Sequence, residues 1–296
     1  MKAFKNVSGA LTVCEMKKPR YQILYWTMFA ILLIFAVGIC LFPVIWILLA
    51  GFKDANEIYA IPATLFPKNF RISKLGEVWT KLHIYAYYLN TTYMSLVSVV
   101  FTLVVSGLAG YVLSKVRPAG TRFVNTVVFW LMLVPTTMST VPLYMTFKDF
   151  PIFHFSMLNT YWPIWLMNAA VPFNIILFKN YSAGIPNAII EAGKIDGLGE
   201  VGIFRRIIVP MGQPIFLVVG LFTFMAAFGN FFWPYILIND ESKTVLAVQL
   251  FKLKSSTYTL DYQLLAILFS VLPLLVLYAI FQDKIISGMN LGGVKG

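Results

Sequence analysis

Six stretches of this chain contain no Asp, Glu, Lys or Arg: 21–52, 82–114, 123–147, 150–178, 207–239 and 262–282. They run for 32, 33, 25, 29, 33 and 21 residues. A helix that crosses a bilayer needs about 20 mostly apolar residues, so each stretch accommodates one span. The fold expected is an all-α integral membrane protein of six transmembrane helices, with cores near 25–49, 90–113, 124–147, 159–179, 213–237 and 264–282. Buried helices of a soluble protein would carry a charged outer face; none of these runs has one. Strands of a membrane barrel would alternate over about 10 residues instead. Composition agrees: 59% of the 296 residues are hydrophobic and 12% charged, where soluble domains carry about 25% charge.

Six spans place both termini on one side, and Lys and Arg choose it. The terminal side carries 14 of them and the other side 9, so both termini are expected in the cytoplasm. The +11 net charge is absorbed by this bias, and no nucleic-acid partner is expected. The first run is too long for a cleaved signal peptide. Cys14 and Cys40 fall in the basic tail and the first span, which implies no disulfide framework. Residues 1–20 read as a cytoplasmic basic tail, and 21–296 as one membrane domain.

Two outer loops are long enough to fold locally. Within 50–89, a short surface helix is expected from about Ser73. The loop 239–262 is polar at both ends around an apolar VLAVQLF centre. Such a centre is an odd thing to leave exposed, which makes this loop a candidate contact for an outside partner.

Ser98, Thr102, Ser106, Gly110 and Ser114 recur at every fourth position of the second span. Small residues at that spacing let another backbone approach closely. Pro135 falls in the third run, Pro163 and Pro172 in the fourth, and Pro214, Gly220, Gly229 and Pro234 in the fifth. This density predicts bent or broken helices in spans four and five.

One segment interrupts the apolar chain: NAIIEAGKIDGLGEVGIFRRIIVP, residues 187–210, with Glu191, Lys194, Asp196, Glu200, Arg205 and Arg206. Pro186 suits a helix start, and Ile189, Ala192 and Ile195 share one side of the helix that follows. Asp196 and Gly197 end it. A second helix runs from Glu200 to about Ile208, with Val201, Phe204 and Ile207/Ile208 on one face. Glu200 complements its positive end, and Arg205 and Arg206 its negative end. Pro210 then redirects the chain into span five. The expected shape is a knob of two coupling helices over 186–209, and helices this short need something to pack against.

Glu191, Ala192, Gly193, Gly197, Ile207, Val209 and Pro210 resemble the EAA signature of ABC importer permeases. Gly193 replaces the usual second alanine and Val209 the usual leucine. Over roughly 85–296 the chain is similar to the carbohydrate-importer, MalG-like branch, and the ending LGGVKG shares that likeness. The resemblance implies a type I ABC importer transmembrane domain in the bacterial plasma (inner) membrane. It implies three kinds of protein partner: a second homologous permease subunit, a dimer of ATP-binding subunits, and an extracytoplasmic solute-binding protein that the 239–262 loop would touch. The substrate implied is a sugar or oligosaccharide, and outer-side lysines such as Lys243, Lys252 and Lys254 would tolerate an acidic one.

Under that resemblance Glu191, Ala192, Gly193, Asp196, Gly197, Ile207 and Pro210 couple the membrane domain to the ATPase. ATP and magnesium would belong to the partner, and no cofactor, metal or catalytic site to this chain. Its sequence indeed lacks a phosphate-binding loop GxxxxGK[ST]. Asn168, Asn174, Asn230 and Trp233 are the candidate substrate path, because aromatic faces and amides suit sugar rings. The alternatives are an ABC permease for another solute, or a self-sufficient carrier or channel. Carriers usually keep ionisable groups within the membrane, and these cores have none.

Overall fold

The computed structural model describes residues 19–151 and 153–292. The basic tail up to residue 18 and the final GVKG lie outside the described residues. All regular structure among the described residues is helical. Its contacts group into two units, 1–72 and 73–296.

In the first unit, α1 (Pro19–Gly51) is apolar around its whole circumference, and its residues 22–42 are exposed. An all-round apolar helix of this length suits a membrane span. A short helix α2 (Ala55–Ile58) follows. The chain after it is held by Glu57, whose carboxylate accepts from the Thr64 hydroxyl at 3.0 Å and the Lys68 amide at 3.1 Å. Lys53 donates to the Thr64 carbonyl, and the Phe52 and Phe70 rings lie 4.4 Å apart.

The second unit begins with α3 (Ser73–Lys81), at the position expected for the surface helix. It is built around α4 (Ile84–Tyr111). Ser98, Thr102, Ser106 and Gly110 lie on the buried face of α4, and Ser114 is buried just beyond it. The Thr102 hydroxyl donates to the Asn168 carbonyl and the Ser106 hydroxyl to the Ala169 carbonyl, both at 2.7 Å. A side chain at Gly110 would sit 2.5 Å from Phe178 Cβ and 2.6 Å from the Lys179 amide nitrogen. The small-residue stripe is thus a packing seam. It lets α7 (Trp162–Ala169) and α8 (Pro172–Gly184) lie directly on α4.

The six apolar segments are helical, three as continuous helices and three in pieces. Residues 22–51, 84–116 and 260–284 each suffice in length and apolarity to cross a membrane. In the third segment, α5 (Thr121–Leu133) meets Thr136–Lys148, a 3-10 turn that continues into α6 (Thr140–Lys148), at a 99° bend. The break falls at Pro135, which cannot donate to the helix ladder. In the fourth, α7 and α8 separate at Ala170 and Val171, before Pro172. The fifth has α11 (Gln213–Phe228) and α12 (Phe232–Leu237), parted at Gly229. The breaks in segments four and five were legible in the sequence; the sharp break in segment three was not.

The 239–262 loop folds back onto the bundle. Most of its VLAVQLF centre is covered: it forms α13 (Leu246–Leu253) with Leu246, Val248 and Leu253 buried, while Phe251 stays half exposed. The Leu246 amide donates to Thr91 Oγ1 at 2.8 Å, and Asn90 Nδ2 donates to the Ser242 and Thr244 carbonyls. Burying three apolar side chains against the bundle removes more apolar surface from water than an exposed loop could. The last helix, α14 (Leu260–Gly292), closes the chain.

Candidate coupling site

The charged segment forms the two expected helices, α9 (Asn187–Ile195) and α10 (Glu200–Met211). Their junction is a Schellman turn. The Leu198 amide donates to the Gly193 carbonyl at 3.0 Å and the Gly197 amide to the Lys194 carbonyl at 3.1 Å. Gly197 sits at φ +80°, a conformation that glycine alone adopts without a Cβ penalty. The glycine turn read from the sequence is the turn that forms.

The apolar face of α9 is not the expected one. Ile190 and Gly193 are buried, whereas Glu191, Ala192 and Ile195 are exposed, and Ile189 is intermediate. Ile203, Phe204 and Ile208 of α10 join Ile190, Ile185 and Tyr111 in one apolar cluster. Val201 points outward, like Ile195, with 68% and 86% of their surfaces exposed. A nine-residue helix with apolar residues at 188–190, 192 and 195 has two candidate faces, and contact with α4 selects one.

Gly193 explains its own departure from the signature. A Cβ there would lie 2.7 Å from Ile207 Cδ1. Glycine makes room for the second helix to close on the first.

A second correction concerns Pro210. The helix does not turn there; it runs on to Met211, and the 85° bend toward α11 falls at Gly212. Residues Phe204–Ile208 wind as a wider π-type helix. Such winding frees the carbonyl that a proline ring would strike in a tight α-turn. A Cβ at Gly212 would meet the Ile208 carbonyl oxygen at 2.8 Å, and side-chain carbons of Phe216 and Tyr181 at 3.0 Å.

Tyr111, near the end of the second apolar segment, and Lys115, the residue that closes it, hold the knob, and neither was expected to. Tyr111, at the end of α4, donates its hydroxyl to Glu200 Oε2 at 2.5 Å. The other oxygen, Oε1, pairs with Lys194 Nζ at 2.9 Å. Those two partners, the Tyr111 hydroxyl first, hold the Glu200 carboxyl below the ordinary glutamate range. Lys115 Nζ caps the entry to α9, reaching the Ile185 carbonyl at 2.5 Å and Asn187 Oδ1 at 2.8 Å. Tyr111 and Glu200 lie 89 positions apart, and no local spacing could announce the pair. On the outside, an open groove of about 580 Å3 is lined by Gly197, Leu198, Gly199, Val201, Gly202, Arg205 and Arg206.

The four candidate path residues are spread along the broken segments. Asn168 ends α7; its Nδ2 donates to Ser98 Oγ at 3.2 Å. Asn174 is half-buried in the first turn of α8. Asn230 Oδ1, just before α12, accepts from the Trp233 amide at 3.4 Å. Trp233 packs inward, its ring 6.4 Å from that of Phe147. Their neighbours open outward: Phe232 and Tyr235 line a cleft of about 620 Å3 with Thr140, Tyr144, Asn239 and Lys252 among its walls.

Residues 102–290 match the family of binding-protein-dependent transport system inner membrane components. The chain belongs to that family. The matched region contains the knob, most of the α4 seam and every candidate path residue. Among relatives, this permease is 29% identical over 268 residues to the diacetylchitobiose uptake system permease protein NgcG of Streptomyces coelicolor, covering 89% of this chain and 86% of that one. It is 27% identical to the arabinooligosaccharides transport system permease protein AraQ of Halalkalibacterium halodurans, covering 95% of this chain and 100% of that one. In three dimensions it resembles a chain of a bacterial ABC transporter involved in the import of the acidic polysaccharide alginate. That match has a TM-score of 0.78 at 24% identity and covers 89% of this chain and 97% of the other. At that identity the likeness is one of fold.

Proposed function

We propose that this permease is a membrane subunit of an ATP-driven importer of oligosaccharides, driven through its α9–α10 knob by a separate ATPase. One observation carries the reading. The knob buries one face against α4 and leaves Glu191, Ala192, Ile195 and Val201 exposed on the other. Exposed aliphatic side chains beside charges, on a part outside the apolar spans, suit a protein partner rather than water or lipid. The groove beside Gly197 with Arg205 and Arg206 gives that partner a concave, basic complement.

The relatives named for diacetylchitobiose and arabinooligosaccharides support a sugar as cargo. The path would run along the breaks in spans four and five, where Asn174, Asn230 and Trp233 lie and Asn168 holds the break to α4. The exposed rings of Phe232 and Tyr235 would offer the apolar faces that sugar C–H groups stack on. ATP and magnesium would be bound by the ATPase, with the knob and both termini in the cytoplasm. A second permease subunit would complete the path, and a solute-binding protein would deliver to its outer mouth.

The test is reconstitution of this chain with its partner permease, ATPase and binding protein in proteoliposomes. Uptake of diacetylchitobiose and of arabinooligosaccharides is expected only with ATP and binding protein together, and a protonophore should not reduce it. Uptake without the ATPase, or its loss on adding protonophore, would make the chain a self-sufficient carrier. ATP-dependent uptake of a non-sugar solute alone would overturn the cargo assignment.

A further inference from the structure

The link between knob and membrane helices is unequal on its two sides. On the covalent side, α10 leads into α11 through Gly212, with an 85° bend. The helix axes turn a corner there, so a push along α10 is not carried in line into α11, although Phe216 of α11 also packs on the knob, its ring 6.2 Å from Phe204. On the non-covalent side, the knob is bolted to the end of α4. Tyr111 is 1% exposed, and its ring packs 6.0 Å from Phe204 within the cluster of Ile185, Ile190, Ile203 and Ile208.

Its hydroxyl meets the first residue of α10. That same carboxylate meets Lys194 in the last turn of α9. One carboxylate therefore ties both knob helices to one transmembrane helix. Lys115 adds a second bolt where α9 begins. Charge-assisted O–H···O− bonds are short and about twice as strong as neutral ones, and here the donor is shielded from water.

Beyond Tyr111 the helix changes winding. Residues Val112–Val116 form a π-type turn closed by the Arg117 amide donating to the Val112 carbonyl at 2.9 Å. Above Tyr111, α4 is seamed to α7 and α8 through Thr102, Ser106 and Gly110. Any displacement of Tyr111 is therefore carried to the broken span four, where Asn168 and Asn174 lie.

We infer that Tyr111 and Glu200 are positioning residues that transmit the movement of the knob to the bundle through α4, across the corner that the chain turns at Gly212. The inference rests on the coupling role proposed above for α9 and α10. Tyr111 pulls or pushes the small-residue seam, and Glu200 keeps both knob helices moving as one body with it. Lys194 contributes less, because its pair with Glu200 is about half exposed and screened by solvent.

The assembled transporter, with Cys14 and Cys40 replaced, tests this with pairs of spin labels. One pair joins the knob to α4 (Ala188→Cys and Val100→Cys). The other joins the knob to the last span (Ala188→Cys and Tyr278→Cys). All three positions are exposed. Distances are read without nucleotide and with Mg-ATP plus vanadate. The knob-to-last-span distance should change on adding nucleotide, while the knob-to-α4 distance stays constant.

In Tyr111→Phe, which keeps the ring and so the packing, the knob-to-α4 distance should now shift with nucleotide. Glu200→Gln should do the same, and the double variant should be no worse than either single, because the two act in series. A knob-to-α4 distance that stays fixed in both single variants would overturn the inference and leave the coupling role intact. A knob that moves relative to neither helix when ATP is trapped would overturn both.

Discussion

Lys74 Nζ lies 2.5 Å from Asp261 Oδ2, and the two side chains are 3% and 6% exposed. The pair fastens α3 to the first turn of α14, with the Tyr262 ring 5.8 Å from the same ammonium. Among the described residues Asp261 Oδ1 has no hydrogen-bond partner, so this carboxylate depends on Lys74. Lys74→Ala should destabilise the permease by about 3–5 kcal/mol, because a buried charge then stands uncompensated. Lys74→Met with Asp261→Leu should recover most of that loss. Thermal unfolding in detergent measures both, and a mild effect in the single variant would show that water reaches the site.

Gly193 and Gly197 should respond oppositely to alanine. At Gly193 alanine gains up to about 1 kcal/mol of helix propensity. The clash it creates is with Ile207 Cδ1, the end of a side chain, and a rotamer shift there costs about 0.5–1.5 kcal/mol. Stability should change by less than about 1 kcal/mol, with transport retained. At Gly197 a Cβ meets nothing within 4 Å, but φ is +80°, so alanine should cost about 1–2 kcal/mol. Unfolding midpoints of the two variants distinguish these outcomes.

Glu191 is exposed and makes no ion pair among those found in the described residues. Glu191→Ala should leave insertion and thermal stability unchanged, within about 0.5 kcal/mol, yet uncouple ATP hydrolysis from uptake. Gly197→Asp should uncouple as well. Both are read as the ratio of solute imported to ATP hydrolysed at equal expression, and a normal ratio in both would remove the coupling role of α9.

Glu200 sets a pH dependence. Its hydrogen bond from Tyr111 comes first, then its bonding to Lys194, and together they lower its pKa from 4.5. A group whose folded pKa is lowered contributes stability that is complete above the unfolded value and lost as pH falls through the folded one. The knob's attachment should therefore be insensitive to pH from 8 down to about 5, and should loosen only below 4.5. Amide exchange over residues 200–208 reports the loosening. In Glu200→Gln this acid-dependent component should vanish, and its persistence would place the titration elsewhere.

Removing 246–256 should unfold the end of the second unit that carries α13. The Leu246 amide and Thr91 would lose each other, and the buried Leu246, Val248 and Leu253 would leave a void beside α4. Thr91→Val is the milder probe, expected to cost about 1–3 kcal/mol by stranding the Leu246 amide. Full stability of the deletion in a thermal melt would show that α13 is dispensable packing.

What the sequence determined on its own follows from interactions that are local along the chain. Desolvating a charge in lipid is prohibitive, so charge-free runs mark helices wherever they occur. Gly197 marks a turn because one residue's φ decides it, and Pro172 and Gly229 mark breaks because they disturb their own hydrogen-bond ladders. The surface helix at Ser73 was legible for the same reason. Tertiary structure decided the rest. Ile190 and Gly193 face inward, with Ile189 at the edge, because the cluster around Tyr111 supplies the wall they pack on, and most of VLAVQLF is covered because Thr91 and its neighbours are there to receive it. The bend comes at Gly212, not Pro210, because the winding of Phe204–Ile208 relieves the proline. Tyr111 and Glu200 find each other across 89 positions only after α4 and the knob have packed, and contacts between distant segments leave no periodicity in a single sequence.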